Sequence, residues 1–252
     1  MSTRLPSREF TFGLPGCSRR AVAVRAATLA VALAGFAASA RARQASASSA
    51  LLIRGEAELG SGEMAWRVVR DVADMGAAAQ FERRALGFAV NSGIFSDLLL
   101  TDQATGSAYR LAPGEAAFVR EGTMQRRENL ADGPESYLRI GLVAAENARD
   151  AGGDRLEFAG PRFSAPEGVV TLSLERIALD AGATSYVMPG LGQALVLVEQ
   201  GEIDIEQGEA APRERMQTVV GSDTNYAIGS LMGGTMLYGM RDGTSVLVAT
   251  IG

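Results

Sequence analysis

Closely spaced turn signals constrain the fold of this chain more than any other feature of its sequence. Beyond residue 50, turns rich in Gly, Pro, Asp and Asn recur about every 10–15 residues in the best-marked stretches, as in Asn91-Ser92-Gly93 and Ala112-Pro113-Gly114. No segment there carries a long 3.6-residue period, whereas Leu195–Val198 is a short apolar run typical of a strand buried on both faces. The pattern predicts an all-β sandwich or barrel.

The second half of the chain repeats the pattern of the first. Residues 111–142 and residues 217–251 both read as a turn, a strand, a turn with Gly, a second strand, an Asp-Gly turn and a closing apolar strand. A repeat of about 100 residues built from strands predicts two similar β domains in tandem. We place the first domain at 51–148 and the second at 161–252, with a Gly-containing linker at 149–160.

Residues 1–42 have the organisation of an export signal. Arg19-Arg20 precedes an Ala-rich apolar run, Ala26–Ala38, and small residues suitable for cleavage follow as far as Ala42. The Arg pair resembles a twin-arginine signal, and an ordinary secretory signal with a chance Arg pair is the alternative. An uncleaved anchor is a third interpretation, although 13 apolar residues are short for a membrane span. We expect a periplasmic or extracellular protein with a flexible start at 43–50.

The composition excludes several kinds of chemistry. The chain has no His and no Lys, since all 24 basic residues are Arg, and its single Cys is Cys17 within the predicted signal. Catalysis by Ser/His/Asp or Cys/His groups, Schiff-base chemistry on Lys and disulfides in the exported body are therefore excluded. The commonest metal ligand, imidazole, is also missing.

The net charge argues against two classes of partner. The whole chain carries a net charge of −5, and residues 1–42 hold six of the Arg and one acid, Glu9. The remainder therefore has 18 Arg against 28 Asp and Glu, a net charge of −10. A body of that charge does not attract nucleic acid or anionic lipid, so we expect neither as a partner once the signal is removed.

Three stretches place glycines at recurring intervals. In the second half the marked positions are Gly182, Met188, Gly190, Ala194 and Gly201, followed by Gly221, Ala227, Gly229, Met232 and Met236. In the first half they are Gly114, Arg120, Gly122, Gln125 and Asn129. This spacing resembles the two sequence motifs of the cupin family, whose positions between the glycines include the His and Glu ligands of a metal ion.

The resemblance implies a bicupin, an all-β protein with two tandem cupin-like barrels of the double-stranded β-helix or jelly-roll type, packed side by side. Met188, Gly190 and Ala194 stand at the three ligand positions of the first motif, and Gln125 stands at the ligand position of the second. Glycines hold turns whatever the barrel contains, so the scaffold can persist without the metal and without a cofactor. A bicupin mimics a cupin dimer, which makes a monomer sufficient and a homodimer the alternative.

The second barrel is predicted to be rich in thioethers. Met188 and Met232 replace former ligands and should point inward, with Met236 close by and with Tyr186 and Tyr226 near the mouth. Three interpretations stay open. The Met side chains could fill the space of a lost metal site, form an apolar ligand pocket, or bind Cu(I) through their sulfurs.

The first barrel is predicted to be more polar. Glu82 and Arg84 share one face of a strand by the two-residue alternation, and Gln125 and Arg127 share one face of another. If these faces line the barrel, they form a site for a small polar or anionic ligand, and Glu82 is its one plausible acid or base. The alternative turns this face to solvent and places Phe81 inside, because a shift of one residue exchanges the two faces.

The leading hypothesis is an exported, metal-free bicupin with a non-catalytic role, either binding a small molecule or structural. A metal-independent isomerase or lyase that uses Glu82 is the alternative from a different class, and a Met-based Cu(I)-binding protein is the third. The binding residues we predict are Glu82, Arg84, Gln125, Arg127, Tyr186, Met188, Met232 and Met236.

Overall fold

The computed structural model describes residues 45–252 apart from 74–79, 94–96, 131–132, 134, 153, 189, 208–213, 218–226 and 233, and it leaves out the side chains of 73, 135, 214–217, 227–230 and 232. Residues 45–252 form one compact unit. The predicted signal at 1–42 lies outside the described residues. No helix in the described part is long and apolar enough to span a membrane.

Short strands account for most of the described chain. In order they are β1 (Ala47–Leu59), β2 (Glu63–Ala73), β3 (Glu82–Arg83), β4 (Leu86–Asn91), β5 (Leu98–Asp102), β6 (Ala108–Leu111), β7 (Ala116–Val119), β8 (Met124–Asn129), β9 (Glu135–Ala144), β10 (Arg155–Ala159), β11 (Phe163–Ser164), β12 (Gly168–Leu179), β13 (Thr184–Val187), β14 (Gln193–Gln200), β15 (Glu202–Gln207), β16 (Glu214–Gln217), β17 (Ala227–Met232), β18 (Thr235–Gly239) and β19 (Thr244–Ile251). One 3₁₀ helix, Ala145–Asn147, follows β9.

The strand order confirms two tandem jelly-roll barrels. In the first barrel, one sheet has the order β2-β9-β4-β7 and the facing sheet has the order β3-β8-β5-β6. In the second barrel, the corresponding orders are β12-β19-β14-β17 and β13-β18-β15-β16. Each strand of the first barrel therefore corresponds to the strand of the second barrel whose number is higher by ten. This correspondence confirms the internal repeat. Two four-stranded sheets with this order are the double Greek key of a jelly roll.

The two barrels exchange edge strands, which corrects the predicted domain boundaries. β1 pairs with β12 of the second barrel, from Ala47 opposite Leu179 to Leu59 opposite Gly168. In return, β10 and β11 pair with β2 of the first barrel. The predicted flexible start at 43–50 and the predicted linker at 149–160 therefore both contain strand residues. The physical reason is that each exchanged strand covers an otherwise open edge of a sheet.

The main apolar core lies between the barrels. Side chains of β2, β4 and β9 pack there against side chains of β12, β14 and β19, as Leu138 and Leu197 illustrate. Trp66 is fully buried in this core, and its indole N–H donates to the carbonyl oxygen of Gln193 on β14 at 2.6 Å. The sequence pattern of β14, apolar at successive positions, is explained because one face enters this core and the other enters the second barrel.

The interiors of the two barrels differ in polarity. The second barrel is filled by aliphatic side chains that include Val187, Val196, Ile203 and Leu237. In the first barrel, a smaller apolar cluster around Leu100 occupies only part of the interior. The rest is lined by charged and polar side chains, which makes the first barrel the place where a ligand could be held.

Most of the predicted motif glycines hold tight turns. Gly190 has φ of +71°, and a Cβ there would stand 1.8 Å from the carbonyl oxygen of Ile251. Positive φ is also found at the motif glycines Gly114, Gly122, Gly182 and Gly201. The prediction for Gly229 is wrong, because Gly229 lies within β17 opposite Val196 and not in a turn. Gly221 lies outside the described residues.

Candidate functional site

The pairing of β2 with β9 places four charged or polar side chains on one face. Asp71 lies opposite Tyr137, and Arg67 lies opposite Gly141, two residues beyond Arg139. Because side chains alternate along a strand, Arg67, Asp71, Tyr137 and Arg139 all face the interior of the first barrel. The other face of the same strands enters the core between the barrels.

A hydrogen-bonded cluster surrounds Asp71, which is 1% exposed. The Tyr137 hydroxyl donates to Asp71 Oδ2 at 2.6 Å. Arg127 Nη1 donates to the same carboxylate oxygen and also to the Tyr137 hydroxyl oxygen, the latter at 3.1 Å. Arg139 Nε lies 3.8 Å from Asp71 Oδ2, and Arg139 Nη2 pairs with Asp154. One carboxylate therefore serves two guanidinium groups, as buried charges require.

Burial and charge shift the pKa values in this cluster. Burial raises the pKa of the Asp71 carboxyl, while the Tyr137 hydrogen bond and the Arg127 charge oppose the rise. Burial also raises the pKa of Tyr137 well above its usual range. For Arg127, burial acts to lower the pKa, but the neighbouring Tyr137 and Asp71 raise it overall. Arg127 therefore stays charged and Tyr137 stays protonated at neutral pH.

Beside this cluster lies a cavity of ≈ 30 Å³. Its lining includes the side chains of Arg67, Arg84, Gln125, Tyr137 and Arg139, together with apolar residues such as Leu100. Three of the lining residues are Arg, and no lining residue is Asp or Glu. The volume corresponds to about two water molecules.

Several buried polar atoms near the cavity have no hydrogen-bond partner among the residues that the structure describes. Gln125, which lines the cavity, is only 6% exposed. Arg139 Nε and Asp71 Oδ1 are both buried, and neither has a hydrogen-bond partner among the described residues. Buried polar groups are nearly always satisfied, so these atoms indicate a site for water or a polar ligand.

Arg67 adds an electrostatic indication. Its guanidinium donates to the backbone carbonyl oxygens of Asn147 at 3.2 Å and of Asp150. Burial lowers the pKa of Arg67, and the positive charge of Arg139 lowers it further. Two guanidinium groups thus repel each other across the cavity, and an anion between them would relieve that repulsion.

The residues predicted for the first barrel are partly brought together. Arg84 and Gln125 line the cavity, and Arg127 binds Asp71 behind it. Glu82 lies at the rim with 44% of its side chain exposed, where it accepts a hydrogen bond from Arg84 Nη1 at 2.8 Å. The alternative with Phe81 inside is wrong, because Phe81 stacks with Arg126 on the outer face of β8.

The residues predicted for the second barrel do not form an interior site. Met188 is 63% exposed and Tyr186 is 58% exposed. Met236 lies opposite Tyr186 on β18, on the face away from buried Leu237. The prediction that Met188 points inward is therefore wrong, and the reason is that Val187 and Leu237 already fill that interior.

The predicted alignment of the second motif in the second half is displaced. Met232 is the last residue of β17, and its side chain lies outside the described residues. The strand that corresponds to β8 is β18, which begins at Thr235. Asn129 in the first half does serve a structural role, because it is buried and its Nδ2 donates to the carbonyl oxygen of Gly133 at 2.8 Å.

Four residues of the site were not predicted from the sequence: Arg67, Asp71, Tyr137 and Arg139. Their signal was the spacing, since Arg67 and Asp71 are four apart on one strand and Tyr137 and Arg139 are two apart on another. Even spacing places such pairs on one face of a strand. Which face would be inside could be known only from the pairing of the strands.

The hydroxyl of Tyr137 is expected to stabilise the fold through Asp71. Tyr137→Phe removes a donor from a buried carboxylate whose other oxygen already lacks a partner. We expect the free energy of unfolding to fall by about 1–3 kcal/mol at neutral pH, measured by chemical denaturation. Tyr109→Phe is the control, because Tyr109 is half exposed and its hydroxyl does not contact Asp71. An equal loss in both variants would contradict the prediction.

The effect of Tyr137→Phe should depend on pH. Because burial raises the pKa of Asp71 above its ordinary value of 3.8, the folded protein holds this proton more tightly than the unfolded chain does. The stability linked to this proton is complete below the unfolded pKa and is lost as pH rises through the folded pKa. Removing the Tyr137 hydroxyl raises the folded pKa further, so the penalty should be smallest below the ordinary pKa of 3.8 and should grow as the pH rises above it.

No family model and no curated protein sequence matches this chain. Among solved structures, YhaK from Escherichia coli is similar with a TM-score of 0.48 at 15% identity, over 78% of this chain and 92% of that chain. Salicylate 1,2-dioxygenase from Pseudoaminobacter salicylatoxidans has a TM-score of 0.47 at 11% identity, over 73% and 68%. Procruciferin, an 11S globulin from Brassica napus, has 0.47 at 9% identity, over 83% and 84%. At these values none of the three carries an argument about ligand or activity.

Proposed function

We propose that this protein is exported and binds a small carboxylate anion inside its first barrel, without a metal ion and without catalysing a reaction. The observation that carries the proposal is the cavity lining, which holds the guanidinium groups of Arg67, Arg84 and Arg139 and no acidic side chain. Guanidinium groups match carboxylates in both charge and geometry. The signal-like organisation of residues 1–42 supports export.

The charges nearest the cavity favour an anion over a neutral ligand. Asp71 is already shared between Arg127 and Arg139, and Glu82 at the rim is engaged with Arg84. Arg139 also pairs with Asp154, so Arg67, which donates to backbone carbonyl oxygens, is the one lining Arg without an ion pair to a described residue. A buried anion would supply the missing charge, and the amide of Gln125 would supply a hydrogen bond.

The chemistry of the lining supports binding without reaction. Apart from Arg, the titratable side chain at the cavity is Tyr137, and burial holds its pKa well above its usual range. A general base needs a pKa near the working pH, and a buried tyrosine with a raised pKa does not meet that need. Glu82 pairs with Arg84 at the rim and does not line the cavity. The isomerase or lyase alternative needs Glu82 as its acid or base inside the barrel, so this position argues against it.

The donor set also supports a metal-free role. No group of three Asp, Glu, His or Cys side chains in the described residues is placed to hold a metal ion. The chain has no His at all. Met188 is exposed, so its sulfur does not lie inside the second barrel, where the predicted Cu(I) site would need it. Guanidinium groups repel cations, so the first barrel is unsuited to a metal.

Acetate and acetamide together test this proposal, because they have nearly the same shape and only acetate is charged. We expect isothermal titration calorimetry to show saturable, one-to-one binding of acetate and none of acetamide at the same concentrations. Equal binding of the two, or no binding of acetate, would overturn the anion site. Elemental analysis of the purified protein should find no stoichiometric Fe, Mn, Ni or Zn.

A further inference from the structure

A second, larger cavity reaches Gln125 from outside the first barrel. It is a surface cleft of ≈ 480 Å³, a size typical of small-molecule sites. Its lining belongs to β6, β7 and the exchanged strand β1, together with Gln125 of β8. Gln125 also lines the small Arg-rich cavity, so the two spaces border the same residue.

The cleft lies where the first barrel is open. β6 is the edge strand of one sheet of the barrel and β7 is the edge strand of the other. The side chains of Ala108, Ala116 and Ala117 are small, which leaves room between these two edges. Solvent can therefore approach Gln125 from this side, whereas the Arg-rich cavity itself lies inside the barrel.

The walls of the cleft are mainly apolar. Ile53, Tyr109, Leu111 and Phe118 contribute aliphatic or aromatic surface, and the one charged lining residue is Arg110. Arg110 pairs with Asp97, and 71% of its side chain is exposed. Its charge is thus balanced and directed towards water, so the inner part of the cleft presents apolar surface beside Gln125.

We propose that the cleft is the entrance to the Arg-rich cavity and that it holds the apolar tail of the ligand. The ligand would then be a monocarboxylate with an apolar chain, whose carboxylate enters between Arg67, Arg84 and Arg139. This inference rests on the proposed function and adds the chemical class of the ligand. Gln125, which is buried and lines both cavities, would donate its amide N–H to the carboxylate.

A series of straight-chain carboxylates from acetate to octanoate tests the inference by titration calorimetry. If the tail occupies the apolar cleft, the dissociation constant should fall by about 3- to 4-fold for each added methylene group until the cleft is full. Acetate binding with no dependence on chain length would overturn the inference and leave the proposed function intact. Failure of every acid in the series to bind would overturn both.

A matched pair of variants locates the tail. Ala108 is exposed on β6 and lines the cleft, so Ala108→Trp should obstruct it without disturbing the core. Ala178 is also exposed on a strand, β12, but belongs to the second barrel, which makes Ala178→Trp the control. We expect Ala108→Trp to remove most of the gain from acetate to octanoate, at least 10-fold, while Ala178→Trp keeps it. Equal behaviour of the two variants would place the tail elsewhere and overturn the inference.

Discussion

Arg84→Gln is expected to weaken the binding of acetate by about 10²-fold, because it removes a buried guanidinium from the wall of the small cavity. The substitution leaves Glu82 without its partner, but Glu82 is 44% exposed and can be solvated by water. The fold should therefore tolerate the change better than the site does. Titration calorimetry measures the affinity, and chemical denaturation shows that the variant is folded.

Arg83→Gln is the matched control for this prediction. Arg83 is the next residue along the chain and is exposed, so it changes the net charge equally without touching the cavity. We expect its acetate affinity to stay within about 2-fold of the wild type, as a screened surface charge implies. Arg84→Lys should lie between, because it keeps the charge and loses the planar fork. Similar losses in Arg83→Gln and Arg84→Gln would mean that bulk charge, and not the cavity, attracts acetate.

Removal of β1 is expected to abolish stable folding of the remaining chain. A protein of residues 61–252 lacks the strand that pairs along the whole length of β12. It also lacks the apolar side chains that β1 adds to the core between the barrels, among them Ile53 and Leu59. Domains are stable by only about 5–15 kcal/mol, and the loss of a long edge strand with its core residues exceeds that margin.

The control for this deletion is a protein of residues 45–252, which keeps β1 and should unfold cooperatively. Trp66 is the only tryptophan and is buried between the barrels, so its fluorescence reports the integrity of that core. We expect a native, blue-shifted emission from residues 45–252 and the emission of an exposed indole from residues 61–252. Native emission and cooperative unfolding of the shorter protein would show that β1 is dispensable.

Much of the architecture could be predicted because it depends on local chemistry. Turns at Gly114, Gly182 and Gly201 require positive φ, which glycine adopts without steric cost, and this requirement is visible in the sequence. The repeat of strands and turns predicts two similar barrels for the same reason. The exchange of β1 and β10 between the barrels could not be predicted, because open sheet edges are created only when the sheets form.

The site was harder to predict, because the sequence of a strand does not show which of its two faces points into the barrel. The alternation of Glu82 and Arg84 with Phe81 fitted either orientation, and only the stacking of Phe81 with Arg126 decides it. The prediction of an interior site in the second barrel was wrong for a related reason. Glycine spacing placed Met188 at an inward position, yet Val187 and Leu237 fill that interior and Met188 is 63% exposed.

The amino-acid sequence alone predicts the all-β class, the two repeated barrels and an export signal, and it excludes chemistry based on His or Lys. The polar interior of the first barrel, and the presence of Asp71, Tyr137 and Arg139 in it, could be known only once the folded structure was available. The physical reason is that composition and turns act within a few residues, whereas a binding site depends on strands far apart in the chain. Asp71 and Tyr137 are neighbours only because β2 pairs with β9 in one register.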